Sequence, residues 1–231
     1  MPGEPASENG DLLLRSGLAF NGRITASVTH ELNNVIGTIM QVVGLIEDLA
    51  LTEEVKQANL SDKMLSVVDR IERQADRGTT LTKHLNAFAH LGDEDHAECH
   101  LGEMLTILAN LSERLIGLKK VSLKRSRLDR EIVVITSPIQ LAQAVFEGLQ
   151  AALRVTAQGQ EIELGMSEWN QGAAIDVSTP FQGEPDQLEL TPDVELIATK
   201  LGLGIDVAAE NQGVRIRIRV PSTPKDRDAS G

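Results

Sequence analysis

Between Val28 and Ile46 the apolar residues of this chain fall three or four apart: Val28, Leu32, Val35, Ile39, Val43 and Ile46. A strand would repeat every second residue, so this spacing predicts a long helix carrying a coiled-coil-like seam. A second run at similar spacing follows, through Leu60, Met64, Val67, Ile71, Leu81, Leu85 and Phe88. Between them lies "LALTEEVKQANLSD", where Thr52 and Ser61, each followed by acidic residues, are N-cap signals. The second helix should end at "HLGDED", where Gly92 and the acidic residues continue a helix poorly. Two such helices joined by a short turn make an antiparallel hairpin. Each seam is too wide for a lone pair to cover, so the expected assembly is a homodimer closing a four-helix bundle.

From about Ala97 the pattern changes. "LGEMLTILANLSERLIGL" reads as a helix, "VSLKRSRL" and "IVVIT" as short strands. "SPIQLAQAVFEGLQAALRVTA" reads as a helix with Ser137 as N-cap and Pro138 at its first position. Then come strands "EIELGMSE" and "GAAIDVST", a helix "TPDVELIATKLG", and strands "GIDVAAE" and "GVRIRIRVP". Helices mixed with antiparallel strands in this order predict a two-layer α/β sandwich, making the whole chain α+β. The expected organisation is a disordered start at 1–11, the hairpin at 12–95, the sandwich at 96–221 and a disordered tail at 222–231.

The formal net charge of -12 would repel phosphates and argues against a nucleic-acid partner. The short basic run Lys119 to Arg127 reads as a solvated strand or loop. One cysteine, Cys99, excludes an internal disulfide framework and suits a reducing compartment. The acidic start "MPGEPASENGD" is unlike a signal peptide, and no apolar run approaches the roughly 20 residues of a membrane helix. The expectation is a soluble, cytoplasmic protein without membrane contact. His96, Cys99 and His100 in "DEDHAECH" have a metal-like spacing, but the segment reads as an interdomain linker and no metal site is assigned.

The stretch "ASVTHELNNVIGTIMQ" carries the one chemical candidate. At about 100° per residue, Asn34, Gly37, Gln41, Gly44 and Asp48 share the side of His30, opposite the seam. That side is polar or small, so His30 should face solvent or a partner. Counting back from the turn puts Gly78 to Thr80 level with His30, where small residues leave room around the ring.

Here the residues resemble a known family. "THELNNVIGTI" is similar to the phosphoacceptor box of bacterial sensor histidine kinases, His-Glu-x-x-Asn. "IERQADRGTTLTKHLNAFAH" resembles their second dimerisation helix, "IQLAQAVFEGLQAAL" the start of their ATP-binding domain, and "ELIATKLGLGIDVAAENQGVRIRIRVP" that domain's closing helix and strand pair. The resemblance implies a phosphoacceptor His30, with Glu31 orienting the ring or taking its proton and Asn34 positioning the transferred group or a water. A response-regulator receiver domain would dock along Gly37, Thr38, Gln41 and Asp48.

The departures carry as much information. Ala151 stands where the family's magnesium-binding asparagine belongs, and Glu147 at a second asparagine position. Alanine offers no oxygen to a hard cation. "DVSTPFQG" replaces the Asp-x-Gly-x-Gly loop, with Ser178 or Thr179 at the aspartate's place, and "QLELTPDVEL" replaces the second glycine-rich loop. "GLG" within Lys200 to Gly204 falls at the far end of the closing helix and reads as a turn. Val35 replaces the proline that usually follows the box. These losses imply a degenerate ATP-binding domain that does not bind ATP, hence a stand-alone histidine phosphotransferase relaying phosphoryl groups between receiver aspartates. It would hold no cofactor of its own, with magnesium supplied by the partner receiver. The alternatives are a pseudokinase scaffold or inhibitor that docks a receiver or kinase, and a divergent active kinase.

Overall fold

The three-four periodicity becomes two long helices, α1 (Pro5–Leu51) and α2 (Leu60–His90). The computed structural model describes residues 5–51, 60–170, 172–181, 188–210 and 213–223, with backbone alone at 5–8, 47–51 and 60–64. Residues 5–11, expected from the sequence to be disordered, are the first turns of α1. Thr52 lies outside the described residues, and Ser61 falls inside α2 rather than capping it. The buried side of α1 runs through Phe20, Ile24, Val28, Glu31, Val35 and Val42, whereas Val43 is exposed. The expected seam drifts for a geometric reason. Val42 stands seven residues after Val35 and so stays on the buried line, whereas Val43 is turned about 100° further round the helix and leaves it.

After α2 the chain forms β1 (Ala97–His100) and α3 (Leu101–Gly117), then β2 (Ser122–Ser126) and β3 (Val133–Thr136). α4 (Pro138–Val155), β4 (Glu161–Trp169) and β5 (Gly172–Pro180) follow, and the fold closes with α5 (Pro192–Leu201), β6 (Gly204–Glu210) and β7 (Gly213–Pro221). Five strands make one sheet in the order β2-β4-β5-β7-β6, and β1 pairs with β3 in a second, two-stranded sheet. The segment expected as a linker therefore supplies a strand. Four residues are too few for a legible alternation, yet Cys99 points into the core and His100 outward. β2 and β4 run parallel where antiparallel pairing was expected, because β3 and α4 return the chain by a crossover. β7 reads most plainly: Val214, Ile216, Ile218 and Val220 face the core, and Arg215, Arg217 and Arg219 face out.

α4 is buried nearly all round, which places it between two layers. Gly148 faces the sheet, where an added Cβ would lie 3.8 Å from Val177 and 3.9 Å from Ile216. Phe146 faces α1, its ring centroid 5.2 Å from that of Phe20, which in turn meets Phe88 of α2 edge-on at 5.4 Å. One hydrophobic core thus runs from the hairpin through the helical layer to the sheet. Polar contacts lock the same junction. The Ser16 hydroxyl donates to Asp193 of α5, Gln143 of α4 donates to Ser16, and Arg23 pairs with Glu147 of α4. Burial alone would raise the Asp193 carboxyl, but hydrogen bonds, those from Ser16 and Gln143 among them, outweigh it and hold the value below the ordinary range. Ser137 takes the expected N-cap position of α4, although its hydroxyl caps nothing. Gly202 adopts the left-handed φ of 67° that ends α5, the turn foreseen at "GLG". Among the described residues no helix is long and apolar enough to cross a membrane.

Candidate functional site

His30 stands exposed near the middle of α1, on the floor of an open groove of about 600 Å³. Three helices line it: α1 with His30, Glu31, Asn34, Val35 and Thr38, α2 with Gln74 and Arg77, and the C-terminal end of α3 with Glu113 and Arg114, followed by Gly117 and Leu118. The His30–Asn34 spacing of one turn brings the Asn34 amide to 3.2 Å from the ring Nδ1. The tautomer follows the orientation of the amide. If the amide nitrogen donates, the ring proton sits on Nε2; with the amide turned so that its oxygen accepts from Nδ1–H, Nε2 keeps a free lone pair facing the groove. Thr38 donates to the Asn34 carbonyl at 2.8 Å and lies at the groove wall.

Glu31 takes a different direction from His30, as one residue's rotation requires. Its side chain is only 12 % exposed and is bonded to Arg77 of α2, 46 positions away. On that side α1 faces α2, so a carboxylate there needs a cation from across the hairpin. Gly78, expected beside the imidazole, instead meets Val35, where an added Cβ would lie 3.2 Å from Cγ1. Its smallness serves the close approach of the two helices. Of the remaining docking-face residues, Gly37 is half-buried with open space around it and Gln41 is exposed, while the Asp48 side chain lies outside the described residues.

The groove residues that the sequence did not reveal are Gln74, Arg77, Glu113 and Arg114. For Arg77 a signal existed: Glu31 sits on the line from Val28 to Val35 and asks for a partner. For the α3 pair none did, since their place depends on how the hairpin packs on the sandwich.

The positions tied by resemblance to nucleotide binding lie on α4 and β5. Ala151 is buried, and Glu147, 2 % exposed, is held by Arg23. Thr179 is buried with its hydroxyl 2.6 Å from that of Thr156, and residues 182–187 lie outside the described ones. His96 and His100 are exposed while Cys99 is buried, its thiol pushed up to about 12 by burial. His84 and His90 are also engaged, with Asn110 at 3.1 Å and Asp93 at 2.8 Å. Trp169 ends β4, and the Arg219 guanidinium lies 5.3 Å from its ring centroid.

No family model matches the sequence, and no curated protein matches it either. Solved structures do. The catalytic domain of histidine kinase ThkA superposes with a TM-score of 0.51 at 16% identity, covering 57% of this chain and 100% of that one. A bacterial phosphotransferase aligns at 12% identity over 87% of this chain and 96% of its own, with a TM-score of 0.47. Acinetobacter baumannii histidine kinase AdeS aligns at 13% identity, 84% and 98% coverage and TM-score 0.47. The ThkA likeness gives the fold: α+β, of the histidine-kinase catalytic-domain type.

Proposed function

We propose that this protein is a histidine phosphotransferase that relays phosphoryl groups between receiver-domain aspartates through His30, without using ATP. The observation that carries the reading is His30 itself: an exposed imidazole whose Nδ1 is engaged by Asn34, leaving Nε2 to an open groove. Neutral imidazole is nucleophilic near neutral pH. In the step, with the Asn34 amide turned so that its oxygen accepts from Nδ1–H, the Nε2 lone pair attacks phosphorus of an aspartyl phosphate. The Nε2–P bond forms, the acyl O–P bond breaks, the aspartate leaves as carboxylate, and the ring's Nδ1 proton passes to water. Such a transfer depends on positioning and charge stabilisation more than on further covalent chemistry. A magnesium ion would come with the receiver, since Ala151 offers no oxygen and Glu147 is committed to Arg23.

The chain would work as a homodimer. Ile36, Met40 and Val43 on α1 and Leu65 and Val68 on α2 are exposed apolar side chains on the hairpin. A second hairpin laid on them would complete a four-helix bundle, with the receiver docking along Gly37, Thr38, Gln41 and Asp48. The test is transfer of labelled phosphoryl from a receiver domain charged with labelled acetyl phosphate. The original protein should acquire label stable to base and labile to acid, and His30→Ala should acquire none. A His30→Ala protein that labels equally would overturn the reading.

A further inference from the structure

Resting on that reading, we propose that Arg114, on the last turn of α3, binds the phosphoryl group once it is on His30. The charges of the groove point to it. Four acidic or basic side chains line the groove with His30: Glu31 from α1, Arg77 from α2, and Glu113 and Arg114 from α3. Three are already spoken for. Glu31 and Arg77 pair with each other, and Glu113 pairs with Arg125. Among the described residues the Arg114 guanidinium has no hydrogen-bond or ion-pair partner, although it is half-buried against the groove.

A phosphoryl group brings nearly two negative charges and three acceptor oxygens into this space. Arg77 spends Nη2 on Glu31, and setting its whole fork on the phosphoryl group would leave a mostly buried carboxylate unpaired. Arg114 has nothing to abandon. Its planar fork suits two phosphoryl oxygens at once, which a lysine ammonium cannot match. Because α3 belongs to the sandwich and His30 to the hairpin, this contact assigns a task to the degenerate domain. It supplies the cation that stabilises phosphohistidine, where the hairpin offers only the committed Arg77.

Phosphoramidate, a small-molecule donor, separates this from any partner. It labels the full-length protein by forming Nε2–P and breaking its own P–N bond, the ring proton leaving on the ammonium released. Phosphorus NMR then follows the second ionisation of the phosphoryl group with pH, and its hydrolysis with time. In the original protein that ionisation should lie lower than in Arg114→Gln by about half a pH unit or more, because a facing cation favours the doubly charged form. Arg114→Lys should recover part of the shift, and Arg114→Gln should shorten the phosphohistidine lifetime several-fold. Superimposable titrations for original and Arg114→Gln proteins, both labelled at His30, would overturn the assignment while leaving the phosphotransferase reading intact. Absence of label on His30 in the original protein would overturn both.

Discussion

Arg23 on α1 is bonded to Glu147 on α4, 124 positions away, and its guanidinium also stacks 5.3 Å from the Phe146 ring centroid. The pair closes the junction where the hairpin lies on the sandwich. Glu147 also stands at one of the two positions where the resemblance implies an asparagine, one turn before Ala151 at the magnesium-binding position. Calorimetric titration with a non-hydrolysable ATP analogue in magnesium should therefore give no binding heat, and micromolar binding would refute that part of the account.

Removing Arg23 leaves the Glu147 carboxylate buried and unpaired. Arg23→Ala should lower stability by about 2–3 kcal/mol in chemical denaturation, because a buried charged group loses its partner. Replacing both residues, as Arg23→Met with Glu147→Leu, should recover most of the loss, since apolar substitutes for a buried pair are often neutral or better. An Arg23→Ala protein as stable as the original would mean that the pair does not hold the junction.

On the proposed reading Asn34, 3.2 Å from the His30 Nδ1, serves the imidazole rather than the fold. Asn34→Ala should leave the melting temperature nearly unchanged, as the residue is exposed. Phosphoryl acceptance by His30 should fall by on the order of 10- to 100-fold, the scale of a modest misplacement of a reacting group. Equal acceptance rates for the two proteins would remove Asn34 from the mechanism.

Met40 is 69% exposed in the middle of the apolar face of α1. If a second hairpin covers that face, Met40→Glu buries a carboxylate in each copy and should convert the dimer to monomer in sedimentation velocity. An unchanged sedimentation coefficient would place the dimer contact elsewhere or exclude it.

His84 should make stability pH-dependent. Burial, then the neighbouring Arg125 and Lys83, push it below its ordinary 6.5, and its Nε2 accepts from Asn110. In the unfolded chain His84 takes a proton below about pH 6.5, whereas in the folded protein it resists until lower pH. The unfolded state therefore binds more protons in that window, and stability falls as pH drops through it. His84→Gln should flatten this limb of the stability curve, and an unaltered limb would assign the acid sensitivity to other groups.

Much of the fold was legible because its signals are local. β7 alternates over its whole length, α4 announces itself with Ser137-Pro138, and β6 runs over the segment expected, Gly204–Glu210. What escaped depends on tertiary contact. The direction of β2 relative to β4 is fixed only by the crossover, and β1 gains strand form only from pairing with β3. The site divides the same way. His30 and Asn34 are one turn apart and readable together, whereas Arg77 and Arg114 reach the groove from separate helices. Buried polar residues in α4 were the overlooked clue, since Gln143 and Glu147 inside an otherwise apolar helix require Ser16 and Arg23 from elsewhere.

The most direct measurement follows phosphoryl from one receiver domain to another. One receiver is charged with labelled acetyl phosphate and freed of excess donor, and a second, uncharged receiver of different size is added in magnesium without nucleotide. With this protein present in catalytic amount, label should move to the second receiver, and with His30→Ala it should stay on the first. Label that crosses equally fast with His30→Ala, or never crosses for any receiver pair although His30 is intact, would contradict the central claim.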